Sequence, residues 1–79
     1  MSHRSQCPEP AASYFTSRGA TEEPVIHQVF HPQVGWRSWG LNKRLSGRDV
    51  RALRRQGYTS VALRAGDHTA DFSLSELRP

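Results

Sequence analysis

The stretch LSGRDVRALRRQG, residues 45–57, carries both the start and the stop signals of one short helix, and the rest of the chain must be arranged around it. Ser46 is a good N-cap residue, because its side-chain oxygen can accept a backbone N–H that the first helical turn leaves unpaired. Asp49 stands three residues on, the spacing of a capping box, and puts a carboxylate where the helix dipole favours one. Leu45 and Val50 occupy the two positions of a hydrophobic staple around that cap. Arg54 and Arg55 bring cations to the last turn, and Gly57 supplies the left-handed residue at which helices end. The spacing predicts a helix over 47–56.

At about 100° per residue, Val50 and Leu53 lie about 60° apart on this helix. Arg48, Arg51, Arg54 and Arg55 fill a sector of about 120° on the opposite side. The apolar pair must pack inward and the guanidinium groups must face out. A helix stabilised by its own charges usually interleaves Glu with Arg, and this one offers only Asp49. The arginine face is therefore read in two ways. It is a solvated surface that keeps a small protein in solution, or it is a docking surface for something anionic.

Downstream, YTSVALRAGDHTADFSL alternates. Thr59, Val61 and Leu63 are interleaved with Ser60, Ala62 and Arg64, and Ala70, Phe72 and Leu74 with Thr69, Asp71 and Ser73. Gly66-Asp67 lies between the two runs, so the segment predicts a β-hairpin with one apolar face. Ser73 and Glu76 repeat the capping-box spacing and predict one closing helical turn. Upstream, VIHQVFH (25–31) is rich in β-branched and aromatic residues and stops at Pro32, as a strand would. Its apolar residues at 25, 26, 29 and 30 also fit one face of a helix. QVGWRSWGL, after Pro32, predicts a second strand or an irregular ribbon bent at Gly35 and Gly40.

Strand, ribbon, helix and hairpin in that order predict an α+β fold, one helix packed on an antiparallel sheet of three or four strands. The rival is a winged helix, with 47–56 as recognition helix and 58–74 as wing, and it needs two further helices upstream. Apolar residues make up only 35% of the 79-residue chain, below the roughly 45–50% of ordinary globular domains, so part of the chain is expected outside the packed unit. Residues 1–23, rich in Ser, Pro, Ala, Glu and Gly, are read as a flexible tail and 24–79 as one small domain. Within the tail, Ala11 to Ser17 can form a short helical turn whose Tyr14 and Phe15 dock on the domain. The single cysteine, Cys7, excludes an internal disulfide and fits a reducing compartment. With neither a spanning apolar run nor a signal-peptide block, the expected location is the cytoplasm.

The net charge of +4 is unevenly spread. Residues 37–64 hold Arg37, Lys43, Arg44, Arg48, Arg51, Arg54, Arg55 and Arg64 against Asp49 alone, whereas both ends are mildly acidic. Ten of the eleven basic residues are arginine, the side chain of planar, bidentate contact with phosphate or carboxylate. Trp36 and Trp39 sit beside Arg37 and Lys43. In an extended segment they point to opposite faces, so one belongs to the core. The other is free to anchor a protein interface or to stack a base, and is expected to share a contact surface with the arginines.

Chemistry-bearing motifs are few. His27 and His31 have the spacing of a helical metal pair, but on a strand they sit about 13 Å apart, and nothing completes a site; His3 and Cys7 are adventitious at most. A small toxin-like ribonuclease would need His27 or His31 beside Arg64 or a helix arginine. The expectation is instead a non-enzymatic binding protein with no cofactor and no metal. It would be a regulator or inhibitor of the phage or mobile-element type that docks on a protein complex handling nucleic acid. Its surface would be Arg48, Arg51, Arg54, Arg55, Arg44, Lys43, Arg37, Trp36 and Trp39. The first alternative is direct binding of DNA or RNA, and the second is the ribonuclease.

Overall fold

The computed structural model describes residues 7–40 and 43–77. Within them lie two helices, α1 (Ala11–Ser17) and α2 (Gly47–Arg55), and four strands. The strands are β1 (Val25–His31), β2 (Gly35–Ser38), β3 (Ser60–Ala65) and β4 (His68–Ser73). They form one antiparallel sheet in the order β2-β1-β3-β4. The architecture is α+β, as the order of sequence signals predicts. The winged-helix arrangement is not adopted.

Each turn has its own chemistry. Ala65 pairs with His68 across the two-residue loop Gly66-Asp67. Gly66 has φ +63° and no non-glycine residue among the described residues has positive φ, the signature of a type II′ turn with glycine first. Between β1 and β2, Pro32 takes the second position of a turn closed by the Val34 N–H donating to the His31 carbonyl (3.1 Å).

α2 is built as its ends dictate. Ser46 Oγ accepts the Asp49 N–H, and an Asp49 carboxylate oxygen accepts the Ser46 N–H at 3.1 Å, so the capping box is complete. Leu45 and Val50, the staple pair, are both fully buried. Gly57, with φ +97°, turns the chain out of the helix.

The register sorts the sheet into two faces. Ile26 pairs with Leu63, Val29 with Val61, and Val61 with Phe72. These residues share one face, and there they form the core with Val50 and Leu53 of α2 and Ala11 and Phe15 of α1. Ile26 and Val29 can share a face, though three residues apart, because the register shifts between Ile26 and Gln28 and leaves His27 as the extra residue of a bulge. This is also why the segment's apolar spacing mimics a helix.

Inside the stretch read as a tail, α1 packs on the domain through Ala11, Tyr14 and Phe15. Phe15 is 2% exposed, and Tyr14 and Phe15 meet Phe72 edge-on at centroid distances of 5.6 and 6.1 Å. A small sheet needs more apolar cover than one short helix provides, and α1 adds it; residues 1–6 lie outside the described part. After Ser73 the chain makes the single closing turn expected, with the Glu76 N–H donating to the Ser73 carbonyl at 3.0 Å, and Leu77 returns to the core. Arg78 and Pro79 lie outside the described residues.

A candidate cationic surface and an exposed tryptophan

α2 lays its buried side against the sheet, so its opposite side is solvent. Arg48, Arg51, Arg54 and Arg55 are all exposed there. Among the described residues, none of the four is in an ion pair. Seven residues separate Arg48 from Arg55, so the row covers about 10 Å of helix axis.

The two cations just upstream are committed differently. Lys43 Nζ lies 2.8 Å from Asp49 Oδ1, and Arg44 Nε lies 3.3 Å from Glu23 Oε1. The Lys43 carbonyl accepts the Ile26 N–H at 2.8 Å, and Arg44 bridges Val25, so this segment lies along β1 on the β2 side of the sheet. Around the start of α2, Lys43, Arg44, Arg48 and Arg51 rim an open depression of about 690 Å³ that also holds Asp49. The Asp49 carboxyl sits below its ordinary value. Burial raises it most, but hydrogen bonds from the Lys43 and Ser46 side chains and the Ser46 backbone, with the Lys43 charge, together outweigh burial. The depression thus has a carboxylate inside and guanidinium groups on its rim. It suits an anion that touches the rim better than one that enters.

The tryptophans part as strand alternation predicts. Trp39 packs against the core face, with its indole N–H buried and without a hydrogen-bond partner among the described residues. Trp36 is 42% exposed. It pairs with Phe30 in the register and tilts against that ring at 5.3 Å, on the face that neither helix covers. Arg37, its neighbour on β2, pairs with Val29 and belongs to the other face, where it is exposed. The expected single surface of helix arginines with a tryptophan anchor is therefore not what forms. The sheet stands between Trp36 and the arginine row.

The histidines do not act together. His27 is exposed at the bulge, whereas His31 is half-buried with its ring edge-on to Tyr58 and its Nδ1 accepting the Gln33 N–H at 3.1 Å. Arg64 pairs with Val25 and Thr69, at the other end of the sheet from the Phe30–Ser60 pair. Four residues of β3 set these ends about 13 Å apart, so Arg64 does not meet His31. No group of three His, Cys, Asp or Glu able to hold a metal occurs among the described residues. The Cys7 thiol is pushed up to about 11, first by burial and then by the carboxylates of Glu9 and Glu23, which keeps it protonated and a poor nucleophile. No helix among the described residues is long and apolar enough to cross a membrane.

The open sheet face escaped the sequence reading. Its signal was the alternation that puts Phe30, Trp36, Ser60 and Ser73 in one row, and this is visible only once strand order is known. No family model, curated protein or solved structure matches the chain.

Proposed function

We propose that this is a non-enzymatic binding protein whose target is nucleic acid, gripped through the arginine face of α2. The observation that carries the reading is the row Arg48, Arg51, Arg54 and Arg55, exposed and without ion pairs among the described residues. Guanidinium groups without internal partners are satisfied by phosphate oxygens, and neutralising a phosphate backbone releases its counterions. Docking on a complex that handles nucleic acid, the expectation from sequence, fits the same face less well. A surface shaped to hold nucleic acid is itself cationic and repels a cationic helix. A regulator that acts by covering the nucleic acid needs no such contact.

The test is binding of a labelled DNA duplex across a salt series. Four phosphate contacts give a log–log slope of about −3.6. The combined substitution Arg48→Glu, Arg51→Glu and Arg55→Glu should abolish binding while the circular dichroism spectrum stays unchanged. A folded wild-type protein that ignores both duplex and single strand at low salt overturns the reading.

A further inference from the structure

The arginine row and the Trp36–Phe30 pair lie on opposite sides of the sheet, but they approach each other at one of its ends. β1 ends there at His31, β2 begins at Gly35, β3 begins at Ser60 and β4 ends at Ser73. α2 also finishes there, since Gly57 abuts His31 and the Thr59 N–H donates to the Phe30 carbonyl at 2.9 Å. Across the open face at this end, the register sets Trp36, Phe30, Ser60 and Ser73 side by side. At about 4.8 Å per strand the row spans about 14 Å.

Ser73 closes this row and opens a second feature. A pocket of about 360 Å³ at the sheet's end is lined by Arg54, Tyr58, Thr59, Ser73 and Ser75, among others. The hydroxyls of Ser73 and Ser75 lie 2.8 Å apart. Arg54 is the member of the arginine row that faces this pocket. One guanidinium over several hydroxyl donors is the donor set that a phosphate takes.

An exposed Trp36 ring tilted on a half-buried Phe30 ring, followed by hydroxyls and then a guanidinium, gives the order of parts along a short single strand: bases first, then the sugar-phosphate backbone that follows them. Bases in a duplex are stacked on one another and cannot reach Trp36, whereas those of a single strand can. A four-stranded sheet face accommodates two or three such bases. A protein partner fits less well, because interface cores are broadly apolar. Here Trp36 and Val34 are the only exposed large apolar side chains among the described residues, and serines flank the aromatic pair. Asp71 lies on the same face, opposite Ala62 in the next row, and Glu76 follows the pocket in the chain; both are exposed. These carboxylates leave Arg54 as the exit for a phosphate.

We propose that this end of the sheet seats a single-stranded nucleic acid, its bases stacked on Trp36 and Phe30 and a phosphate carried over the Ser73 and Ser75 hydroxyls to Arg54. The proposal rests on the nucleic-acid reading above and names the form of the ligand.

The experiment compares a labelled oligothymidylate with a DNA duplex at low salt, for wild type, Trp36→Ala and Arg54→Ala. Both positions are exposed, and a thermal melt within a few degrees of wild type verifies the fold. Trp36→Ala should weaken single-strand binding about tenfold, the cost of one base stack, and change duplex binding less than about twofold. Arg54→Ala should weaken single-strand binding several-fold. Oligothymidylate should also quench tryptophan emission in the wild type and not in Trp36→Phe, where Trp39 alone reports. If duplex binds and depends on the arginine row while Trp36→Ala leaves the single strand unaffected, this seat is wrong and the arginine reading stands. If neither nucleic acid binds, both fall. A Trp36-dependent protein partner, with no quenching by oligonucleotide, also overturns the seat.

Discussion

Gly57 lies against His31: a Cβ added at Gly57 would stand 2.8 Å from His31 Nε2. The ring is held on two sides. One edge meets Tyr58 at 5.4 Å between centroids, and its Nδ1 is held by the Gln33 N–H. Gly57 also has φ +97°, which costs an L side chain strain on its own.

Gly57→Ala is therefore expected to destabilise the fold by about 1–2 kcal/mol, from backbone strain and from displacement of the His31 ring. Only the second part depends on His31. In urea denaturation, His31→Ala should relieve part of the loss, giving a coupling of about 0.5 kcal/mol or more. Strict additivity of the two substitutions would show that the ring moves aside freely.

How far the fold could be read from the chain depends on the range of the interactions involved. The bounds of α2 were legible because Ser46, Asp49, Leu45, Val50 and Gly57 act within one or two turns. The β3–β4 hairpin was legible for the same reason. β1 was ambiguous because a bulge at His27 puts Ile26 and Val29 on one face, and a bulge is set by the partner strand rather than by local sequence. The place of Phe15 was only half legible, since its cover comes from Phe72 at the other end of the chain. The arginine row could be counted on a helical wheel. That Trp36 stands across the sheet from it could not, because this depends on strand order.

The docking of α1 leads to a second prediction. Phe15 is 2% exposed and belongs to the same cluster as Leu63, Leu74 and Val29. Phe15→Ala should cost about 3–5 kcal/mol, enough to unfold a large share of so small a domain. Phe15→Leu preserves most of the volume and should cost less than about 1.5 kcal/mol while the protein stays folded. The pair is read by chemical denaturation. If α1 were a detached tail, both variants would melt with the wild type.

Acid should weaken the cap of α2. Asp49 closes the cap of α2 and holds Lys43 at 2.8 Å, and its carboxyl lies below 3.8 in the folded chain. Unfolding releases it to about that ordinary value, so the folded protein favours the ionised form. The stabilisation from this group is complete above 3.8 and is lost as pH falls from there through the lower folded value. Asp49→Asn keeps the shape of the side chain but cannot ionise. At neutral pH it should be less stable than wild type by about 1 kcal/mol, the scale of a lost cap interaction at a partly exposed site. Ser46→Ala should cost a similar amount, because it removes the other half of the same box. In denaturant titrations at successive pH values, the gap between wild type and Asp49→Asn should stay constant down to the ordinary carboxylate range and then close. A gap that persists unchanged into strong acid would mean that the carboxylate charge contributes nothing to the cap. Lys43→Ala in the wild-type background should narrow the gap without abolishing it, since the Ser46 hydrogen bonds remain.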